Sequence, residues 1–525
     1  MRFRAVVAST GLLAGALVAL SGTTAQAAAT RYEAESSPAV CTGTIDSDWS
    51  GYSGSGFCNG TNAVGASAQF TVTAATAGTA TLKVRFANGT TAARPADVTV
   101  NGSAAGSASF EATGAWNTWV TKTLTVPVRA GGNTVRLSPT TSAGLANIDY
   151  LDAEVAGGTT TPPSGSALYV APNGSAGAAG TQSDPTTLAS AISRVTSGGT
   201  IYLRGGTYDY AQTVTVPPGA NGTAGARTTL SAYPGETPVL DFSAMTEDPA
   251  NRGLALNGDY WHVYGIVVQH AGDNGIFVGG SHNVVERTVT RFNRDTGLQI
   301  SRIASSTPRG QWPSDNLVLS AESHDNADSD GEDADGFAAK LTVGTGNVFR
   351  YDVSHNNIDD GWDLFTKSDT GAIGPVTIED SLSYDNGTLT DGTQNKSGDR
   401  NGYKLGGSDI GVDHVVRRSI AYHNGHHGFT YNSNPGTITL SDDISIDNAQ
   451  RNFSFDEGTS VFRDDTSCRG GSGSNDKIVG DADGSNQFWT GSNGSRCSSY
   501  SGALAWSYAA DGRLVVTFGG KPVTP

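Results

Sequence analysis

The chain carries an internal repeat in which an apolar residue is followed by asparagine eight positions later. The pairs are Val285/Asn293, Val318/Asn326, Phe349/Asn357, Ile378/Asn386, Val416/Asn424 and Leu440/Asn448. Successive asparagines are 33, 31, 29, 38 and 24 residues apart. Coils of this length that contain short β segments are typical of a parallel β-helix. The repeated asparagine then predicts a ladder of side chains inside the turns.

A second element of the repeat brings acidic residues into one register. Shortly after each asparagine comes a pair, in most cases glycine and a large apolar residue: Gly297-Leu298, Gly336-Phe337, Gly361-Trp362, Gly402-Tyr403, Gly428-Phe429 and Asn452-Phe453. Alignment on this pair places Asp335 level with Asp360, and Asp363 level with Lys404. Residues at equivalent positions of stacked coils lie roughly 4.8 Å apart.

This register predicts a metal site. It gathers Asp335, Asp359, Asp360 and Asp363 into one acidic patch beside Lys404. Carboxylates packed this closely repel one another unless a cation holds them, and hard oxygen ligands favour Ca²⁺. The alternative is an acidic rim whose carboxylates only hydrogen-bond to turns.

Length and composition limit the number of domains, the type of fold and the possible partners. A chain of 525 residues is expected to form two or three domains. Sixty-nine glycines and only 16% charged residues suit turn-rich β structure rather than helical bundles. The formal charge of −17 argues against a nucleic-acid partner, because phosphate binding needs a basic face. No membrane partner is expected, and the protein is expected to be a monomer.

The first 27 residues have the pattern of a secretory signal peptide. Arg2 and Arg4 precede an apolar run over 5–20, and Ala25-Gln26-Ala27 offers a small-x-small cleavage site. A membrane anchor is the weaker interpretation, because the apolar run is short. The sequence therefore predicts a secreted, extracellular protein.

The four cysteines agree with an oxidising compartment. Cys41 and Cys58 lie near the mature N-terminus, and Cys468 and Cys497 lie near the C-terminus. Local pairing, Cys41 with Cys58 and Cys468 with Cys497, is the simplest of three possible connectivities.

The chain divides by composition into two β domains. Residues 30–156 alternate polar and apolar residues in short runs separated by Gly and Asn turns, which predicts a β-sandwich of jelly-roll type. Residues 157–166 form a Gly/Thr/Pro/Ser linker. Residues 167–525 are assigned to the β-helix, with one helix over about 187–195 that could cap its first coil. The fold class is therefore all-β.

Lys404 is the candidate catalytic residue. If Tyr403 and Leu405 point inward, strand alternation turns Lys404 outward on the same face as Asp363. Nearby Ca²⁺ and Arg400 would lower the pKa of the amine, so that it could accept a proton. Ca²⁺ would neutralise a substrate carboxylate, and removal of the proton α to it would start a β-elimination at a uronic acid. The competing interpretation is a solvated lysine.

The site segments resemble polysaccharide lyase family nine, a family of right-handed parallel β-helix pectate lyases. The matching segments are 335–340 (DGFAAK), 357–364 (NIDDGWDL), 401–407 (NGYKLGG), 428–429 (GF) and 432–436 (NSNPG), with first coils at 168–174 (LYVAPNG) and 200–208 (TIYLRGGTY). The resemblance covers about 167–460 and implies Ca²⁺ held by Asp335, Asp359, Asp360 and Asp363, with Lys404 as Brønsted base. Arg400, Asn432 and Asn434 are further candidates for substrate contact. The region after about 460 carries no motif that can be placed.

The N-terminal domain resembles a family thirty-five carbohydrate-binding module. The matching segments are 32–35 (YEAE), 86–89 (FANG), 94–95 (RP), 116–119 (WNTW) and 147–151 (NIDYL). The resemblance implies a structural Ca²⁺ held by Glu33, Glu35 and Asp149. It also implies a sugar site for uronic acids, with Asn88, Arg94, Trp116 and Asn147 as candidate contacts. For Trp116, core packing is an equal alternative.

The predicted function is a secreted Ca²⁺-dependent pectate lyase that cleaves polygalacturonate to unsaturated oligogalacturonates. The expected partner is thus an acidic plant polysaccharide. Two alternatives stay open. One is a β-helix hydrolase of polygalacturonate, although the Gly-His-Gly and Arg-x-Lys motifs of that class are missing. The other is a non-catalytic uronate-binding solenoid with a structural Ca²⁺.

Overall fold

The computed structural model describes residues 30–36, 38–74, 78–129, 131–156, 167–394, 397–509 and 511–523. The predicted leader (1–27) and linker (157–166) lie outside the described residues. The chain divides into two compact units, Met1–Thr159 and Thr160–Pro525. None of the helices in the described ranges is long and apolar enough to span a membrane.

The first unit is a β-sandwich built from antiparallel strands. One sheet contains Thr30–Glu33, Gly43–Asp46, Phe57–Gly60, Gly78–Ala87, Val120–Val128 and Asn147–Ala156. The other contains Val40–Cys41, Ala68–Ala74, Arg94–Val100, Ser103–Phe110 and Gly131–Pro139. Alternate residues such as Phe70, Val84, Val98 and Leu137 point between the sheets and form the core. The alternating pattern of the sequence is confirmed.

The second unit is a parallel β-helix, which confirms the predicted fold class. Its described coils contribute strands to three long parallel sheets, here called sheets 1, 2 and 3. Sheet 1 contains Leu168–Val170, Thr200–Leu203, Thr228–Ala232, Trp261–Tyr264, Val284–Glu286, Leu317–Leu319, Asn347–Arg350, Val376–Glu379, Val415–Arg417, Thr439–Ser441, Val461–Arg463 and Asp481–Ala482. Sheet 2 contains Gly206–Asp209, Pro238–Asp241, Val267–Gln269, Val289–Arg291, Glu322–His324, Val353–His355, Leu382–Tyr384, Ile420–Tyr422, Ile444–Ile446 and Thr466–Cys468.

Sheet 3 matters most for function. It contains Val214–Val216, Leu254–Leu256, Ile276–Val278, Leu298–Ile300, Phe337–Ala339, Trp362–Asp363, Tyr403–Lys404, Phe429–Thr430, Phe453–Phe455 and Lys477–Ile478. The helix Leu188–Arg194 lies between the first two strands of sheet 1, and its N-cap Thr187 accepts a hydrogen bond from the Ser190 amide. Short 3₁₀ helices lie at Arg309–Gln311 and Ser495–Ser499.

The repeat is set by an asparagine ladder and by stacked aromatic rings. The Asn357 amide nitrogen donates to Asn386 Oδ1 at 2.9 Å, and Asn386 donates to Asn424 in the same way. All members of the ladder are buried: Asn293, Asn326, Asn357, Asn386, Asn424, Asn448 and Asn452. On the inner side of sheet 3, the rings of Trp362 and Tyr403 stack with centroids 4.9 Å apart. The predicted ladder is confirmed, and each coil is thereby locked in register.

The C-terminal region has its own role in the fold. An antiparallel meander of Leu504–Tyr508, Leu514–Phe518 and Lys521–Pro522 packs its apolar side chains on the outer face of sheet 2. Trp506 donates to the Tyr384 hydroxyl at 3.0 Å. Because this segment follows no repeat, the sequence pattern does not predict it. The disulfides Cys41–Cys58 and Cys468–Cys497 confirm the local pairing.

Candidate active site

The outer face of sheet 3 places Lys404 beside the acidic patch. Ala338, Asp363 and Lys404 are register partners on three successive strands. Their flanking residues, such as Trp362 and Tyr403, are fully buried in the core, so strand alternation turns Asp363 and Lys404 outward. The predicted orientation of Lys404 is confirmed.

The residues that precede these strands follow the same register. The Gly336 amide donates to the Asp360 carbonyl at 2.9 Å. Asp335 and Asp360 therefore occupy equivalent positions on successive coils. Ligand oxygens of Asp335, Asp359 and Asp360 lie within 4.8 Å of one another, and all three residues are buried. The structure therefore brings these predicted ligands together as a group that could hold a metal ion.

Asp363 stands at the edge of this group and is available as a ligand. Its Oδ2 lies 3.8 Å from Lys404 Nζ. Its Oδ1 is buried and has no hydrogen-bond partner among the described residues. A buried carboxylate oxygen without a partner is costly, and a bound cation would satisfy it. The all-oxygen donor set fits a hard divalent cation.

The electrostatics of the cluster favour a cation. Burial raises the pKa of Asp335 well above its ordinary value, and the charges of Asp363 and Asp360 add to this against the opposing effect of Lys340. Burial likewise raises the pKa of Asp359, with further contributions from Asp360 and Asp335. The pKa of Asp360 is raised to about 7, chiefly by burial. Full ionisation of the cluster therefore needs additional positive charge.

Lys404 is held by carboxylates on three sides. Its Nζ lies 2.9 Å from Asp399 Oδ2 and 3.2 Å from Asp360 Oδ2. Burial acts to lower the pKa of Lys404, but the charges of Asp363, Asp360, Asp359 and Asp399 outweigh burial and raise it. The predicted lowering of the Lys404 pKa presumes a bound Ca²⁺, and it stays a prediction.

Arg400 contributes to the site mainly through its backbone. It has a left-handed φ of 58°, and its amide donates to Asp359 Oδ1 at 3.0 Å. Its Nε donates to the Gly398 carbonyl at 3.2 Å, and the side chain lines a pocket with Asp385, His423 and other residues of the turns after sheet 2. Arg400 thus orients a ligand of the acidic group, while its role in substrate contact stays a prediction.

Lys340 is a site residue that the sequence interpretation missed. Its Nζ lies 2.8 Å from Asp335 Oδ2 and 3.4 Å from Asp363 Oδ2, and the residue is buried. It lies two positions beyond outward-facing Ala338. The same alternation that identified Lys404 could therefore have found Lys340.

The two candidate asparagines after Phe429 have different surroundings. Asn434 is fully buried, and its Oδ1 accepts from the Val412 and Gly436 amides, both at 2.9 Å. Its amide nitrogen donates to the carbonyls of Leu405 and Val412. Asn434 therefore braces two loops and has no free donor or acceptor for a sugar. Asn432 is half-buried and donates to the Gly406 carbonyl at 2.8 Å, so its oxygen and its second amide hydrogen could serve a ligand.

In the β-sandwich, the candidate sugar contacts do not all face solvent. Asn88 is fully buried and donates to the carbonyls of Ala92 and Phe110, so its role is to hold a loop. Arg94 is mostly buried, donates to the Leu145 carbonyl at 2.8 Å, and lies over the ring of Trp116 at 5.2 Å.

The two other candidates differ in exposure. Trp116 is half-buried, whereas Asn147 is almost fully buried. Of these four candidates, Trp116 therefore offers the most accessible face.

The predicted metal ligands of the β-sandwich surround one loop but do not form a compact group. Ser53 donates to Glu33 through its hydroxyl and to Asp149 through its amide, and the Ser55 amide donates to Glu35. Arg85 pairs with Asp149 at 2.6 Å. Of the described residues, Asp335, Asp359 and Asp360 form the set of three that meets metal-ligand spacing. Glu33, Glu35 and Asp149 as ligands stay a prediction.

Comparison with known proteins agrees with this architecture. The family described as "Pel9A-like, right handed beta helix region" matches residues 168–469. A pectate lyase L of Paenibacillus polymyxa is 54% identical over 61% of this chain and 72% of its own length. The crystal structure of pectate lyase Pel9A is 32% identical, covers 66% of this chain and 86% of its own, and has a TM-score of 0.56.

The N-terminal unit matches a carbohydrate-binding module. The family described as "Carbohydrate binding module (family 6)" matches residues 33–154. A solved family 35 module from Cellvibrio japonicus is 41% identical, covers 25% of this chain and 94% of its own, and has a TM-score of 0.24.

Fold, site and relatives together define a polysaccharide lyase with an attached carbohydrate-binding module. The chain belongs to the Pel9A-like right-handed β-helix family, that of the family nine pectate lyases.

Proposed function

We propose that the chain is an extracellular, Ca²⁺-dependent pectate lyase with Lys404 as its catalytic base. The observation that carries this proposal is the position of Lys404, whose Nζ lies 3.2 Å from Asp360 and 3.8 Å from Asp363 on the outer face of sheet 3. A basic side chain and a metal-binding acid group next to each other suit proton removal beside a carboxylate. The pectate lyases among the relatives support polygalacturonate as substrate.

In this proposal Asp335, Asp359, Asp360 and Asp363 hold Ca²⁺. The bound ion supplies positive charge that neutralises carboxylates of the cluster and of the substrate. Burial of Lys404 favours its neutral form, and the surrounding carboxylates favour the charged form. Neutralised carboxylates therefore leave an amine that can take a proton.

The proposed reaction is a β-elimination within the uronate chain. The Nζ lone pair of Lys404 forms a bond to the C5 proton, and the C5–H electrons become the C4–C5 double bond. The bond between C4 and the glycosidic oxygen breaks, and that oxygen leaves with its electron pair and takes up a proton from solvent. The products are a new reducing end and a 4,5-unsaturated uronate end.

Secretion and substrate targeting belong to the same proposal. The two disulfides support an oxidising, extracellular location. The N-terminal module would attach the enzyme to uronate-rich polysaccharide, with Trp116 and Arg94 as contacts.

Ultraviolet absorbance of polygalacturonate digests tests the proposal. Unsaturated uronate absorbs because its double bond is conjugated to the carboxylate, so we expect absorbance to rise with Ca²⁺ and to stay flat with chelator. New reducing ends without absorbance would indicate hydrolysis. Neither signal, with the polymer still bound, would indicate a non-catalytic solenoid.

A further inference from the structure

Eight residues form a straight column along sheet 3, each one position before the pair that opens a strand. We call this the axial column: Arg252, Asn274, Thr296, Asp335, Asp360, Asn401, His427 and Arg451. The carbonyl of each member after Arg252 accepts a backbone hydrogen bond of 2.8–3.1 Å from the amide that follows the previous member. The members are therefore stacked one coil apart, at about 4.8 Å a step.

The axial column is ordered by charge. Its centre is the acidic pair Asp335 and Asp360, which lies within the proposed metal site. Neutral polar residues follow on both sides, and an arginine stands at each end. Arg252 is three coils before Asp335 and Arg451 is three coils after Asp360, about 14 Å in each direction. The two arginines are thus about 34 Å apart along the helix axis.

Arg252 is held flat on the outer face of the sheet. Its guanidinium carbon lies 3.4 Å from the ring centroid of Phe277, in the same outward row as Asp363 and Lys404. Its Nε contacts Asp273 Oδ2 at 3.4 Å. In the described part of the chain no acceptor is bonded to either of its terminal nitrogens, and the side chain is 28% exposed. The guanidinium is therefore positioned by the protein but still has donors to offer.

Arg451 has a matching arrangement at the other end. Its Nε donates to the Asn475 carbonyl at 3.2 Å, and the residue is half-buried. Its terminal nitrogens likewise donate to none of the residues that the structure describes. A planar guanidinium fixed through Nε presents the paired donors that match a carboxylate.

We propose that Arg252 and Arg451 bind carboxylates of uronate units at the two ends of the substrate, outside the units that react. This inference rests on the proposed function, because it requires a polyuronate that lies along sheet 3 and crosses the acid–lysine site. The acidic centre needs a cation to accept an anionic chain, whereas the two ends attract it directly. The enzyme then has a higher affinity for chains that are long enough to reach an arginine than for shorter chains.

Chain-length kinetics test this inference. We would measure kcat and KM for oligogalacturonates from trimer to octamer and for the polymer, with wild type, Arg252→Gln, Arg451→Gln and the double variant. Arg513→Gln is the matched control, because Arg513 is 59% exposed on the C-terminal meander. We expect each single variant to raise KM for the longest substrates about tenfold, with kcat and all trimer constants unchanged.

The outcomes separate the two proposals. A KM that is unchanged at every length, or that rises equally for trimer and polymer, would overturn the role of the arginines while leaving the lyase proposal intact. Loss of unsaturated product already in the wild type would instead reject the proposed function. An equal effect of Arg513→Gln would show that general charge, rather than these two positions, determines KM.

Discussion

Asp363 and Lys404 occupy the same position of successive coils, and their Oδ2 and Nζ lie 3.8 Å apart. A parallel β-helix makes such neighbours out of residues 41 positions apart in the sequence. The acid–lysine pair is therefore fixed by strand register rather than by a loop. Because the stacked rings of Trp362 and Tyr403 lie directly behind it, the pair has a rigid support.

Lys404→Ala is expected to reduce turnover by about 10²- to 10⁴-fold, the usual contribution of a general base. Lys404→Arg should be as inactive, because a guanidinium keeps the charge but does not deprotonate. The measurement is kcat from the absorbance of unsaturated product, with circular dichroism to confirm the fold. Substantial activity in Lys404→Arg would mean that charge, rather than proton removal, is the contribution of this residue.

Asp360→Asn is expected to weaken Ca²⁺ binding by about tenfold or more, because it removes one of the buried charges that attract the ion. The substitution preserves shape, and the Asn401 amide can still donate to the remaining oxygen, as it does to Asp360 Oδ1 at 2.6 Å. Isothermal titration calorimetry of the metal-free protein measures the affinity directly. Asp369→Asn, at an exposed position, is the control. Equal affinities for both variants would exclude Asp360 as a ligand.

The sequence predicts the coil positions well because they depend on periodicity. The asparagine ladder, the inward aromatics and the alignment of Asp335 with Asp360 all follow from one repeat. The hydrogen-bond partners of individual side chains do not follow from the repeat, because they depend on the loops between the coils. Asn434 is satisfied by Val412 and Gly436, whose path no repeat spacing gives.

The rise in the Lys404 pKa has the same origin, because it also depends on a residue outside the repeat. Asp399, in the irregular segment before the strand, lies closer to Lys404 Nζ than any carboxylate of the repeat, at 2.9 Å. The repeat places Asp360 and Asp363 near the Lys404 amine, but it gives no position for Asp399. The summed charges of these carboxylates outweigh burial and raise the pKa of Lys404.

Lys340→Met is expected to destabilise the metal-free protein and to increase the stabilisation that Ca²⁺ gives. Lys340 pairs with buried Asp335 and Asp363, and removing one partner of a buried ion pair costs about 3–5 kcal/mol. Added Ca²⁺ would replace the lost positive charge. Thermal unfolding in chelator and in Ca²⁺ measures both effects, with exposed Lys367→Met as control. Unfolding temperatures equal to those of wild type in chelator would contradict a charge-compensating role.

The buried side chain of His414 is expected to make the protein less stable in acid, independently of the active site. It is fully buried, its Nδ1 accepts from the Val376 amide at 3.1 Å, and burial lowers its pKa from 6.5 to about 3. The unfolded chain therefore binds a proton more readily than the folded one. The contribution of neutral His414 to the free energy of unfolding is complete above about pH 6.5 and is lost progressively as the pH falls toward 3.

His414→Asn isolates this contribution from the other titrating groups. Two coils earlier, Asn347 occupies the equivalent place and its Oδ1 accepts from the Asn316 amide at 3.1 Å, so asparagine suits the position. We expect the free energy of unfolding of the variant to fall less steeply than that of wild type between pH 6.5 and 3. Chemical denaturation at a series of pH values, both with chelator, measures the difference. Parallel curves for the two proteins would show that His414 takes up no proton on unfolding, and that the acid sensitivity of the β-helix arises from its buried carboxylates.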